Sequence, residues 1–271
     1  MSTGALHAAA VSSPGIASLL CGTVIHRPYV YAFFACFLAL AIHQLGVKRA
    51  VTFAASTWVI AFCCEYSSTR NGFPFGLYSY VDATRTRELW IANVPFWDSL
   101  SFVFLSYFSF VLAAALLSPP GALARGEWPG LRHPAASLVG GAAMMLLDVV
   151  IDPVALQGEK WFLGRIYEYP YRGFYFGVTA ANFAGWFFVG AASQWVFQLA
   201  LRVLPWCAGP WRTVRPRFVW AAYAVYAGVF GFNLAMTLVI RDHALAAASG
   251  AVVAVTLSSL AWRLRAPGRL A

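Results

Sequence analysis

Four carboxylates stand where carboxylates are costly. The chain has 271 residues, of which only 10 are Asp or Glu. Glu65, Asp98, Asp148 and Asp152 lie in or beside apolar runs long enough to cross a bilayer. An ionisable group at that depth marks a functional site by default. Asp148 and Asp152 are spaced i to i+4, which puts both on one helical face. Two neighbouring carboxylates in a low dielectric do not both ionise cheaply, so one of the pair is expected to hold its proton near neutral pH. Such an acid can protonate an apolar substrate. A structural reading competes with this one: Asp152 caps a helix restarting at Pro153, and Asp148 pairs with an arginine.

Two aromatic motifs accompany the acids. Residues 71–80 read NGFPFGLYSY. Gly72 and Gly76 permit turns and Pro74 fixes one φ angle. The rings suggest a re-entrant or interfacial lid over a pocket, or else an ordinary aromatic belt. Phe75 would offer a ring face, and Tyr78 and Tyr80 hydrogen bonds. Residues 171–186 read YRGFYFGVTAANFAGW. Asn182 lies four before Trp186 on one face, and Gly185 allows a close helix contact. Asn182 can hold a water or orient a carboxylate; the alternative is glue between helices. Arg70 and Arg172 flank the same region, either as partners for a carboxylate or as solvated loop cations.

Other chemistries lack their residues. The five His are scattered, with no box of the kind that membrane iron enzymes use. No P-loop, GxGxxG, DDxxD-type magnesium motif, GxSxG or Cys–His nucleophile pattern is found. No metal site is therefore expected, and a diphosphate-dependent prenyltransferase or an oxidoreductase with a bound nucleotide is disfavoured. The net charge of +9 comes from basic residues spread over short loops, which argues against a nucleic-acid partner. The five Cys form no CxxC pair and read as small packing residues.

The elements that must position these groups are helices in a bilayer. The chain is 61% hydrophobic and 11% charged, the balance of an integral membrane protein. Long apolar runs without ten-residue alternation favour helices over a barrel. The fold expected is an all-α polytopic transmembrane bundle of about seven helices, near residues 29–46, 49–66, 96–117, 135–154, 176–201, 218–240 and 244–262. The third and fifth are the clearest. The second is short, and the fourth ends at Pro153, which disfavours helix at the residue before it. One helical domain is expected over residues 29–265, with tails at 1–28 and 266–271; the first tail is either loose or a short extra helix. A cleaved signal peptide is not expected.

Seven crossings put Glu65, Asp98, Asp148, Asp152 and Asn182 toward one face, under loops 67–95 and 157–175. The opposite face holds 11 Lys or Arg against 8. This bias favours a cell-membrane protein with a cytoplasmic C-terminus.

Taken in order, Glu65, Gly72 to Tyr80, Asn93-Val-Pro95, Asp148 to Pro153, Trp161 and Asn182 to Trp186 resemble the carotenoid biosynthesis membrane protein family. The resemblance covers roughly residues 50–200. Thr179 stands where the family pattern has Pro, and Asp98 is an additional acid. The family includes carotenoid 1,2-hydratases acting on γ-carotene-type and bacterioruberin-type precursors. The resemblance implies a cofactor-free hydro-lyase that adds water to the terminal double bond of an acyclic carotenoid ψ-end. It implies a polyene substrate, water, the lipid bilayer and other pathway enzymes as partners. Asp148 or Asp152 would donate the proton. Phe75, Tyr78 or Trp186 would face the cation. Glu65 or Asn182 would hold the water, and Asp98 would line the substrate site. Capture of the same cation by an internal double bond would make a cyclase instead. An isoprenoid or lipid carrier and a scaffolding subunit are the non-enzymatic alternatives; a carrier predicts an inverted repeat, which the sequence does not display.

Overall fold

The computed structural model describes residues 14–160, 164–210, 212–213 and 215–265. Trp161, residues 1–13 of the first tail and all of the second tail, 266–271, lie outside them. Eight helices follow in chain order: α1 Ile16–His26, α2 Pro28–Leu45, α3 Val47–Asn71, α4 Phe96–Leu117, α5 Ala136–Ala155, α6 Ala180–Val203, α7 Pro216–Val239 and α8 His243–Arg265. The seven predicted segments are α2 to α8, and the bundle is all-α as expected. Helix α1 occupies part of the N-terminal stretch.

Six of the helices are long and apolar enough to cross a membrane: α2, α3, α4, α5, α7 and α8. The protein is an integral, multi-pass membrane protein. Helix α6, expected among the clearest spans, is not one of the six. It carries Ser193, Gln194 and Gln198 on buried positions. These groups are engaged with neighbouring elements: Ser193 Oγ meets Ser106 Oγ at 3.0 Å, and Gln198 Nε2 donates to the Leu131 and His133 carbonyls at 2.9 Å each. Side-chain bonds of this kind replace apolar contact as the glue between membrane helices.

Helix α4 is the centre of the bundle. It packs on α2, α3, α5, α6, α7 and α8. Of its most apolar stretch 83% is buried, against 17% for α8, which lies at the periphery. Helices α5 and α6 run close together where Gly141 meets Gly190. A side chain at Gly141 would sit 2.8 Å from the Phe187 carbonyl oxygen. Three expectations are corrected here. Helix α3 is 25 residues long, not short, because it continues past Glu65 to Asn71. Helix α5 runs through Pro153 to Ala155. So near the helix end, proline forfeits only one backbone hydrogen bond, and Asp152 is a helical residue rather than a cap. Cys21, Cys36 and Cys63 are exposed on the bundle's outside; of the five, Cys207 alone is buried.

The two predicted loops form one cap. Strand β1 (Ser79–Tyr80) pairs antiparallel with β4 (Tyr167–Glu168), with Tyr80 opposite Tyr167. A second small ladder joins β2 (Trp90–Ile91) to β3 (Val94–Pro95) and leads directly into α4.

Candidate functional site

The end of α5 and the start of α6 bring three polar side chains together. Asn182 Nδ2 donates to Asp148 Oδ2 at 2.7 Å and to Asp152 Oδ2 at 2.6 Å. Asp148 is fully buried and Asp152 nearly so. The hydroxyl of Thr179, which caps α6, accepts from the Asn182 backbone N–H and fixes the first turn. No salt bridge to Asp148 or Asp152 occurs among the described residues. The arginine-paired reading of Asp148 therefore has no partner there.

A second polar pair comes from α3 and α4. Ser99 Oγ donates to Glu65 Oε2, and the Tyr80 hydroxyl donates to Asp98 Oδ2. Tyr78 donates in turn to Tyr80 at 3.3 Å. Glu65 Oε1 and Asp148 Oδ1 are buried without a hydrogen-bond partner. These acceptors are open to a water or a proton.

The cap supplies four tyrosines. Burial, and then the neighbouring Glu65 and Asp98, raise Tyr78 well above the usual phenol range. Burial followed by Asp98 and Glu65 does the same for Tyr80. Tyr167 and Tyr169 are raised first by burial and next by Asp152. All four hydroxyls remain protonated donors at physiological pH. Tyr167 interacts with Asp152, but its hydroxyl makes no well-aligned hydrogen bond.

Gly185 lets the 72–80 loop seat closely on α6. A side chain there would lie 2.9 Å from Phe75 Cα and 2.4 Å from its Cδ1. The predicted close contact is thus with the 72–80 loop, not with another helix. The Phe75 backbone N–H donates to Ser68 Oγ at 3.0 Å, tying the loop back to α3. Trp186 stacks on Phe102 at 4.6 Å between centroids, and Phe75 leans on Phe102 at 5.7 Å.

Two chambers meet at these groups. The first, of about 50 Å³, is lined by Glu65, Phe75, Tyr78, Tyr80, Asp98 and Asn182 among others. Its acids and hydroxyls make it a polar chamber, and its volume is above the minimum for an ordered water. The second, of about 110 Å³, runs between α2, α4, α5 and α7 along Phe33, Phe104, Leu105, Ile151, Val229 and Phe232. Its lining is mainly apolar, with Ser101 and Asn233 among the polar exceptions. Asp98, Asp152, Tyr167 and Trp186 line both chambers and form the wall between them.

The site residues proposed from sequence divide accordingly. Glu65, Phe75, Tyr78, Asp98, Asp152, Asn182 and Trp186 all face the polar chamber. Asp148 lines neither chamber and stands behind Asn182. Arg70 is exposed, bonded to Asn93 Oδ1 at 2.7 Å and lying over the Tyr66 ring, and Arg172 is exposed. Tyr167 and Tyr169 line the polar chamber as well, beyond the residues the sequence motifs nominate. Their i, i+2 spacing in an aromatic stretch is the signal for them, since it puts both on one side of an extended chain. Among the described residues no group of three or more His, Cys, Asp or Glu is arranged to hold a metal ion.

Fold and site together define a multi-pass membrane bundle with a buried acid centre between a polar and an apolar chamber. A family model for carotenoid biosynthesis proteins matches residues 24–257, and the chain belongs to that family. Comparison with curated proteins and with solved structures found no match.

Proposed function

We propose that this carotenoid biosynthesis protein adds water to the terminal double bond of an acyclic carotenoid end, of the γ-carotene or lycopene type, giving a tertiary alcohol. The observation that carries the reading is the shared wall. Asp98, Asp152, Tyr167 and Trp186 touch a chamber suited to water on one side and one suited to a hydrocarbon chain on the other. Hydration of an alkene needs both reactants to meet at an acid.

Asp152, drawing on the proton it shares with Asp148, protonates the less substituted carbon of the alkene. The π electrons form the new C–H bond and leave a tertiary cation. The Trp186 ring lines both chambers, and its face stabilises that charge. A water held by Glu65 in the polar chamber attacks the cation. Its surplus proton passes to the Asp98 carboxylate. The tyrosine hydroxyls of the cap offer the path by which the proton returns to Asp152. Asp148 and Asn182 are positioning residues in this scheme. The lysine and arginine bias favours a cytoplasmic C-terminus, with the cap on the opposite side of the membrane.

The test is expression in a host that makes lycopene or γ-carotene, with mass spectrometry of the pigments. The expected product is heavier by one water and takes its oxygen from labelled water. Oxygen drawn from O₂, or an unchanged pigment, rules the hydration out.

A further inference from the structure

At the end of the bundle opposite the cap, a cavity of about 350 Å³ opens beside the turn between α2 and α3. Lys48, Arg49, Trp206 and Arg212 line it, and among the described residues no Asp or Glu does. Arg212 also lines a neighbouring cavity of about 370 Å³, together with Arg132. The one acid on that second cavity, Glu127, is engaged by Arg125 at 3.2 Å. All ten acids of the chain lie in described segments, and Glu127 alone is at this end of the bundle.

The cavity is a formed structure rather than a set of loose surface side chains. Arg49 is 6% exposed. Its Nε donates to the Cys207 carbonyl at 2.9 Å, its Nη2 to that of Gly209 at 2.8 Å and its Nη1 to that of Pro210 at 3.3 Å. These bonds tie the loop after α6 to the first turn of α3. Carbonyls orient the guanidinium but bring no net negative charge to cancel it. Arg212 leans in from the same loop: a side chain at Gly46 would lie 3.8 Å from its Nε. Gly46 to Arg49 also line the cavity. They form the head of the 25-residue α3, which has no side-chain cap and no acid in its first turn. The helix dipole adds positive potential there. Three cations around one cavity, reinforced by that dipole, call for an anion.

The surroundings choose the anion. Val47 and Trp206 line the cavity and are also 56% and 53% exposed. Val51, one turn further along α3, is exposed as well. On a membrane-spanning helix such a surface meets acyl chains. A wall that is cationic within and apolar without matches a molecule with an anionic head and hydrocarbon tails. Tryptophan beside lysine and arginine is the composition of the membrane interface, and basic pockets between membrane helices bind phosphate headgroups. We propose that this cavity binds the phosphate of an anionic phospholipid, with Lys48, Arg49 and Arg212 as its counter-charges and an acyl chain along Val47 and Val51. The lipid pins the loop after α6 to the head of α3, at the far end of the bundle from the acid centre.

Native mass spectrometry of the whole protein in detergent, titrated with phosphatidylglycerol, tests the site. The wild type should hold one phosphatidylglycerol in preference to phosphatidylcholine. Lys48→Gln with Arg212→Gln should weaken that binding about thirtyfold, at roughly fivefold for each cation. Arg49 stays in place because its bonds hold the loop. Arg217→Gln with Arg263→Gln removes two exposed cations from the same end but outside the cavity. That pair should change the binding by less than about twofold, since exposed charges beyond a Debye length are screened. Equal weakening by the two pairs overturns the proposal, because diffuse surface charge then accounts for the binding. A second measurement needs no variant. The melting temperature of the wild type should rise with phosphatidylglycerol and stay unchanged with inorganic phosphate. An equal rise with inorganic phosphate or with phosphatidylcholine overturns the assignment to an anionic lipid.

Discussion

Asn182 Nδ2 lies 2.6 Å from Asp152 Oδ2, and the same nitrogen reaches Asp148 at 2.7 Å. One amide thus clamps two buried acids that sit a helical turn apart. Asn182→Leu removes both donors and leaves the carboxyl oxygens without compensation. Each orphaned group costs about 1–3 kcal/mol. The melting temperature in detergent should fall, and hydration with it. A variant that keeps its stability would show that the acids find other partners.

The two acids should not be equivalent. Asp152 borders both chambers, whereas Asp148 borders neither. Asp152→Asn is expected to lower kcat by about 10²–10⁴, the range for loss of a general acid. Asp148→Asn keeps the geometry and should cost about tenfold, by disturbing the proton shared with its neighbour. Equal losses in the two variants would contradict the division between donor and positioning residue.

Much of this arrangement was legible in the sequence because a membrane limits the choices. Counting crossings is enough to put Glu65, Asp98, Asp152 and Asn182 toward one face, and in the structure the four line one chamber. The i, i+4 spacing likewise puts Asp148 and Asp152 together. What spacing cannot supply is rotation about the helix axis relative to distant neighbours. That rotation puts Asp152 on the chamber wall and Asp148 behind it. The Arg27–Glu88 bridge spans 61 residues and has no periodic signature. The pairing of Tyr80 with Tyr167 across two loops is equally non-local.

Gly185 and Gly228 offer a matched comparison. A methyl at Gly185 would meet Phe75 Cδ1 and the Phe75 backbone, whereas one at Gly228 would meet nothing within 4 Å. Gly185→Ala should cost about 1–3 kcal/mol through overpacking and should lift the lid. Faster proteolysis within residues 72–80 would report the lifting. Gly228→Ala, within α7, should be neutral or stabilising by about 0.5–1 kcal/mol, since alanine holds a helix better. Similar melting temperatures for the two variants would contradict the tight seat assigned to Phe75.

The cap tyrosines make stability depend on alkaline pH. Burial first, then nearby carboxylates, raise Tyr78, Tyr80 and Tyr167 above their ordinary value of 10.0. The folded state therefore holds these protons more tightly than the unfolded state. The stabilisation is fully present below about pH 10 and declines as the pH rises beyond it. Melting curves from about pH 8 to pH 11 should show the loss, and Tyr78→Phe or Tyr167→Phe should flatten it. A wild-type profile that stays flat above pH 10 would mean that the hydroxyls reach solvent.

Glu65 should decide which product forms. Its Oε2 accepts from Ser99, its Oε1 has no partner, and it faces the polar chamber but not the apolar one. A group so placed can hold water yet cannot reach along the hydrocarbon. Once Asp152 has delivered its proton, the tertiary cation has three outcomes: capture by water, loss of a neighbouring proton, or attack by an internal double bond. Glu65→Leu removes the water's acceptor and leaves the acid on the wall intact. Protonation should continue, so pigment is still consumed. The product should then be an isomer of the substrate, cyclised or with its double bond moved, in place of one heavier by a water. Glu65→Gln retains an acceptor oxygen and should give a mixture of the two. If Glu65→Leu forms the hydrated pigment at the wild-type rate, water is held elsewhere on the wall, and Asp98 becomes the residue that delivers it.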